Sequence, residues 1–255
     1  MPNENVFFAI DKASYAFEDG NRVLHDIEWE VPSGAFHCLV GRSGCGKTTL
    51  LKLAAGLLQP SSGRISIENQ PVLKPSQKVG FVFQTPALLE WLSVLENALL
   101  PISLHRRVNE EDRDAARKLL DLVGIADLEA RVPAQLSGGQ QSRVALVRAL
   151  VTSPPALVMD EPFAALDAIT RDEIQDDLLR LVALNQTTVL FVTHDIMEAV
   201  YLGDRVAVVD QGKILSSASI STPRPRDPNC RYDADFAATC QKIRSMMSSN
   251  TASAA

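Results

Sequence analysis

Gly41-Arg-Ser-Gly-Cys-Gly-Lys-Thr48 is the stretch on which the fold turns. It fits G-x-x-x-x-G-K-[ST], and it stands between an apolar run, Ala35 to Val40, and the helical pattern Thr49-Leu-Leu-Lys-Leu-Ala-Ala. Such glycines let the backbone curl until successive N–H groups point at phosphate oxygens, and the following helix adds its positive end. Gly41, Ser43, Gly44, Cys45, Gly46 and Thr49 then form a cradle, Lys47 reaches the β- and γ-phosphates, and the Thr48 hydroxyl ligates Mg²⁺. The bland alternative is a glycine-rich turn with a solvated lysine, and chance produces the pattern in roughly one chain in a hundred of this length. The strand before it and the helix after it argue for the cradle. Within it, the helix start and Lys47 both favour a thiolate at Cys45, the alternative being a small inert loop residue.

Outward from the loop, further apolar runs read as buried parallel strands: Val79 to Phe83, Ala156 to Met159 and Thr188 to Val192. Strands alternating with helices predict an α/β sandwich with a mainly parallel sheet. Between Pro86 and about Pro154 the pattern is helix only, with Glu110 to Val123 and Ser142 to Val151 carrying apolar residues at helical spacing. That reads as a helical insertion. Arg205-Val-Ala-Val-Val-Asp-Gln-Gly-Lys-Ile-Leu reads as a hairpin turning at Gln211-Gly212, and Ser248 to Ala255 as a disordered tail. No internal repeat stands out.

The composition of the 255 residues, 46% hydrophobic and 22% charged, is that of a globular protein. No apolar run approaches the roughly 18 residues that cross a bilayer, and the start lacks the pattern of a secretory signal. Neither membrane spanning nor export is expected. Four cysteines, Cys38, Cys45, Cys230 and Cys240, form no CxxC pair, which suggests neither a zinc site nor a disulfide framework and suits a reducing compartment. A formal charge of −6 with no basic block argues against nucleic acid as a partner.

Ala156-Leu-Val-Met159 runs into Asp160-Glu161, placing two acids at the carboxyl end of a buried strand, where α/β sheets hold ligands. Adjacent strand residues point opposite ways, so Asp160 suits the Mg²⁺ shell while Glu161 orients or deprotonates an attacking water. Leu136-Ser-Gly-Gly-Gln140 then opens a helix running to Leu150. Ser137 and Gln140 make an S-x-x-Q capping box. Such a box has no need of Gly138-Gly139, whereas a helix start that approaches a phosphate does.

Leu136-Ser-Gly-Gly-Gln140 resembles the signature of ATP-binding-cassette (ABC) ATPases, and it lies between the cradle and the Asp160-Glu161 strand as in that family. The resemblance runs from Tyr15 to Asp227. It implies a RecA-like P-loop NTPase core with a mainly parallel sheet, an N-terminal antiparallel β part and an inserted α-helical subdomain. The ATPase domain would cover 1–228, with the helical insertion at about 86–154, followed by a C-terminal helix and disordered tail over 229–255. It implies ATP and Mg²⁺ as cofactors, with Thr48, Gln84 and Asp160 around the metal and Glu161, His194, Gln84 and Lys47 as the catalytic set.

Further roles follow from the same resemblance. Tyr15 matches the aromatic that stacks on adenine, although the residues alone leave it equally a core or strand-surface ring. Gln84 resembles the glutamine that touches Mg²⁺ and the attacking water and senses the membrane partner, and His194 the histidine at the γ-phosphate; by themselves they read as a strand terminus and a structural histidine. Ala165-Leu-Asp167 resembles the loop that crosses the dimer interface. In the family, Ser137, Gly138, Gly139 and Gln140 of one chain close over ATP in the cradle of another, with Ser137 and Gly139 brought to the γ-phosphate, which implies a head-to-tail homodimer. Integral-membrane permease subunits, indirectly a solute-binding protein, and a peripheral place on the cytoplasmic face of the inner membrane complete the implied setting.

Phe83 to Asn97, Met159 to Arg171 and Pro223-Arg-Pro-Arg-Asp227 resemble the ATPases of nitrate, sulfonate and taurine importers. Glu90, Ala164 and Ser142 depart from that group's pattern, which puts the solute in doubt. An exporter or lipid-extraction ATPase is the alternative. Trp91, in Pro86-Ala-Leu-Leu-Glu-Trp91-Leu-Ser-Val-Leu, reads either as a docking residue or as a plug of the insertion's own core.

Overall fold

The structure, a computed structural model, describes residues 6–248. In chain order it contains β1 (Val6–Ala16), β2 (Arg22–Pro32), β3 (Phe36–Val40), α1 (Lys47–Ala54), β4 (Ser62–Ile67), β5 (Gln70–Pro71), β6 (Val79–Val82), α2 (Val94–Ser103), α3 (Glu110–Leu122) and α4 (Gly138–Leu150). Then follow β7 (Ala156–Asp160), α5 (Ala168–Leu184), β8 (Thr188–Thr193), α6 (Ile196–Leu202), β9 (Arg205–Asp210), β10 (Lys213–Ser219) and α7 (Ala234–Ser248). Residue Ser248 of the expected disordered tail ends α7, and the rest of that tail lies outside the described residues.

The chain divides into two compact units, one of residues 6–76 with 188–248 and one of Gln77–Thr187. In the first, β3 lies between β8 and β9, parallel to both, and β10 returns antiparallel to β9. Every residue of β3 and β8 is buried, as strands covered on both faces must be. A separate antiparallel sheet in the order β2-β1-β4-β5 is half-solvated. Its β2 shows this in sequence: Ile27, Trp29 and Val31 are buried while Asp26, Glu28 and Glu30 alternate outward or at the margin.

The second unit holds the parallel pair β6 and β7 and helices α2 to α5. Capping boxes start three of its helices, Ser93 with Glu96, Asn109 with Asp112 and Ser137 with Gln140, each satisfying end groups that have no partner within the helix. The segment between Val82 and Ala156 contains no strand. The expected buried strand Val79 to Phe83 needs correction. It stops at Val82, Val79 to Phe81 are only half-buried, and Phe83 is exposed, because β6 is an edge strand paired on one side with β7.

Candidate functional site

The phosphate-loop sequence leaves β3 at Val40 and is braced from behind by its own unit. A Cβ on Gly41 would lie 2.1 Å from the Val209 carbonyl oxygen, so only glycine fits against β9. Gly46, at φ 103°, supplies the left-handed step into α1, where a Cβ would strike the Leu24 side chain at 2.7 Å. The Gly212 N–H donates to the Cys45 carbonyl at 3.1 Å, and the His25 N–H donates to the Gly212 carbonyl at 2.8 Å. The hairpin turn Gln211-Gly212 thereby props the loop.

The other side of the loop is open. Ser43, Gly44 and Thr48 are exposed and Thr49 is half-buried, and nothing lies within 4 Å of where a Gly44 Cβ would be. Lys47 is buried, its Nζ donating to the carbonyls of Gly41 at 2.8 Å and Arg42 at 2.9 Å, so the ammonium is folded into the cradle. Cys45 is also buried, and burial pushes its thiol up against the opposing pull of Lys47 3.8 Å away. The favoured thiolate is thus corrected: desolvation outweighs the helix start and the neighbouring cation.

β3 and β8 run in register, Val40 beside Thr193, so Gly41 and His194 emerge from adjacent strand ends. His194 is exposed, and the next residue, Asp195, caps α6 by accepting from the Met197 N–H at 2.8 Å. Tyr15, on β1 opposite Leu24, is half-buried, with its ring edge-on to Phe17 at 5.1 Å between centroids. Phe17 is the exposed ring, held in a tight turn by its N–H to the Asn21 carbonyl at 3.0 Å. Sequence reasoning passed over Phe17. The signal was a second aromatic two residues after Tyr15, just past the end of β1 at Ala16.

At the foot of β3, the Asp204 carboxylate accepts from the Phe36 N–H at 2.8 Å and from Arg224 Nε at 2.6 Å. Arg226, its side chain almost fully buried, donates to the carbonyls of Val200 at 2.6 Å and Gly203 at 2.5 Å, capping the end of α6. The Pro223-Arg-Pro-Arg-Asp227 stretch therefore fastens the ends of β3 and α6 that lie away from Gly41 and His194.

In the second unit, β6 and β7 pair with Val82 beside Met159, so Gln84 and the acids leave the same end of the pair. Asp160 is the last residue of β7 and is buried. Glu161 lies beyond the strand at φ 45°. The strand alternation expected to separate it from Asp160 therefore does not apply, since Glu161 takes a left-handed step that costs on the order of 1–2 kcal/mol for a non-glycine residue. Gln84 is likewise past its strand, exposed in a bend two residues after Val82.

The capping box reading of the signature holds in detail: the Gln140 N–H donates to Ser137 Oγ at 3.3 Å, and the Ser137 N–H to Gln140 Oε1 at 2.9 Å. The two glycines differ. A Cβ on Gly139 would sit 2.4 Å from Thr170 Cγ2, whereas one on Gly138 would meet nothing within 4 Å. That same contact sets the starts of α4 and α5 side by side. Asp167 caps α5 by accepting from the Thr170 N–H at 3.1 Å, which holds its carboxyl below the usual range. Arg143 ties the two helices further, reaching Glu173 at 3.0 Å and Asp177 at 3.3 Å. Ser137, Gly138, Gly139, Gln140 and Asp167 are thus one cluster.

After Gln84 the chain passes through Trp91, 74% exposed, before α2 begins. Such exposure removes the reading of Trp91 as a core plug. Glu90 and Ala164 are exposed, and Ser142 is buried. Among the described residues no helix is long and apolar enough to cross a membrane.

Residues 24–164 match the family described as ABC transporter. A putative ATP-binding protein of Brucella abortus is 40% identical over 226 residues, 88% of this chain and 87% of its own length. The bicarbonate transport ATP-binding protein of Synechococcus elongatus is 38% identical over 234 residues, 89% and 84% of the two chains. Among solved structures, cbiO1 of Clostridium perfringens, part of the ABC transporter complex cbiONQ, superposes with a TM-score of 0.79 at 27% identity, covering 94% of this chain and 96% of that one. A dimeric ATP-binding cassette in a post-hydrolysis state bound to ADP and Pi gives 0.75 at 31% identity, covering 84% and 98%.

Proposed function

Because the chain belongs to the ABC transporter family, in which it is an ATP-binding ATPase, we propose that it is the motor subunit of an importer of small anions of the nitrate, sulfonate and taurine type. It works as a head-to-tail homodimer on integral-membrane permease subunits, fed by a solute-binding protein, at the cytoplasmic face of the membrane. The ATPase domain occupies 1–228, with its helical subdomain at about 86–154. The bicarbonate transporter relative supports import, and the dimeric cassette supports pairing. The observation that carries a membrane partner is Trp91, a large apolar side chain held out to solvent seven residues after Gln84.

The cradle fits a polyphosphate, since the exposed side of Ser43 and Gly44 admits oxygen atoms to within contact of the backbone. On binding, the Lys47 ammonium exchanges the carbonyls of Gly41 and Arg42 for phosphate oxygens, a charge-assisted bond. Thr48, Asp160 and Gln84 would supply oxygen donors suited to Mg²⁺, and the metal would neutralise charge on the β- and γ-phosphates. Glu161 orients and deprotonates the attacking water, His194 holds the γ-phosphate, and Phe17 with Tyr15 behind it offers the adenine a π-face. Ser137 and Gly139 reach the γ-phosphate from the second chain, with Gly138 and Gln140 beside them.

Trp91→Ala is expected to leave ATP affinity of the isolated subunit within about threefold while weakening co-purification with its permease at least fivefold, the loss of a central aromatic anchor. Normal co-purification would remove Trp91 from the interface and with it the membrane-partner reading.

A further inference from the structure

Residues 84–93 have no regular secondary structure, yet two side chains of the helical part fix their path. Asn97, on α2 and fully buried, accepts from the Leu89 N–H at 2.8 Å through Oδ1. Its Nδ2 donates to the carbonyls of Leu89 at 3.1 Å, Leu92 at 3.0 Å and Ser93 at 3.1 Å. Arg148, on α4 ten residues beyond Gly138, spreads its guanidinium over the other end, donating to the carbonyls of Pro86 at 2.6 Å and Ala87 at 2.8 Å. Ala87 is held at φ 46°, a conformation that a free loop would abandon.

We infer that Asn97 and Arg148 are positioning residues that make the segment from Pro86 to Ser93 a stiff lever, so that nucleotide at Gln84 is felt at Trp91 and a load on Trp91 is returned to Gln84. Six hydrogen bonds from two side chains replace the ladder that a strand or helix would provide. A flexible ten-residue loop would absorb the same displacement in its own dihedrals. Arg148 adds a second link, because α4 opens with Ser137 and Gly138: movement of the signature helix drags the carbonyls of Pro86 and Ala87 with it. The inference rests on the proposed nucleotide role of Gln84 and extends it to Asn97 and Arg148, to which that role assigns no contact.

The chain has two tryptophans, and Trp29, buried and with no hydrogen-bond partner on Nε1 among the described residues, can be replaced by Phe to leave Trp91 as the sole emitter. In that background MgATP is added to the isolated chain and Trp91 emission is followed beside ATP affinity. Arg148→Met keeps the stem and removes the donors. It is expected to cut the nucleotide-induced emission change at least fivefold with affinity within about threefold, and Arg148→Lys, which can serve one of the two carbonyls, to give an intermediate change. A full response in Arg148→Met at unaltered affinity overturns the positioning role while leaving Gln84 as sensor. A Trp91 that ignores MgATP in the parent, although ATP binds, overturns the sensing role of Gln84 and the lever together. Should Arg148→Met fail to fold, Arg148→Lys decides: a response equal to the parent's contradicts the two-carbonyl clamp.

Discussion

The phosphate loop and the signature turn are both glycine-rich starts of helices, and they use glycine for different reasons. In the loop, Gly41 and Gly46 are demanded from within: Val209 and Leu24 occupy the space of their side chains, and the hairpin turn at Gly212 holds the loop from behind. In the turn, Gly139 is demanded from within by Thr170, but Gly138 has neither a positive φ nor a neighbour within 4 Å of its missing Cβ. The packing of the chain itself therefore does not call for a bare backbone at Gly138. On the proposed function, the loop is the finished half of a site and the turn the half that a second copy of the chain would complete.

The largest expected effect bears on the chemistry that both halves serve. Glu161→Gln keeps the shape of the side chain and removes the base, so hydrolysis should fall by roughly 10²–10⁴-fold with ATP affinity retained, as read by phosphate release and nucleotide titration. Lys47→Ala acts on the finished half. It leaves phosphate charge uncompensated, and ATP affinity should drop roughly 10–100-fold; unchanged binding would show that the cradle does not need its cation.

Within one turn, Gly138→Ala and Gly139→Ala separate the two uses of glycine. Gly139→Ala should lower folding stability by about 1–3 kcal/mol, because the stiff Thr170 side chain must move. Gly138→Ala should melt like the parent yet lose hydrolysis by roughly tenfold or more, since a methyl group holds the approaching phosphate off by about an ångström. Equal stability losses in the two variants would erase the distinction.

A smaller effect concerns the strand beneath the loop. His37, on β3, has its pKa lowered to about 4 from 6.5, chiefly by burial and then by Arg205, with Asp204 opposing. Between those values the unfolded chain takes up the proton and the folded chain does not, so stability is complete above about pH 6.5 and falls as pH drops toward 4, by on the order of 3 kcal/mol. Thermal melts from pH 7 to 4.5 should steepen less for His37→Leu than for the parent; parallel curves would show that His37 does not titrate in this window.

The strands β3, β7 and β8 and the loop after β3 were legible because buried apolar runs and spaced glycines are local signals. The exposure of β6 was not, since an edge position is decided by which strands pair. Nor was the left-handed step at Glu161, because nothing in Asp160-Glu161 distinguishes a turn from a continued strand. Phe17 was hidden by Tyr15, two residues earlier in the chain. Asn97 and Arg148 bind backbone carbonyls of an irregular segment, and such acceptors carry no residue signature. Cys45 was misjudged for a related reason: its neighbours in sequence favour the thiolate, and only the fold shows how deeply Gly41 and Lys47 enclose it.

The claim that the signature turn completes a site in a second copy of the chain is tested most directly by sedimentation of Glu161→Gln with and without MgATP. Expected are a monomer without nucleotide and a stable dimer holding two ATP molecules with it, while Gly138→Ala in the same background stays monomeric although it binds ATP. A Glu161→Gln chain that binds ATP and remains a monomer at concentrations well above its nucleotide affinity would contradict it.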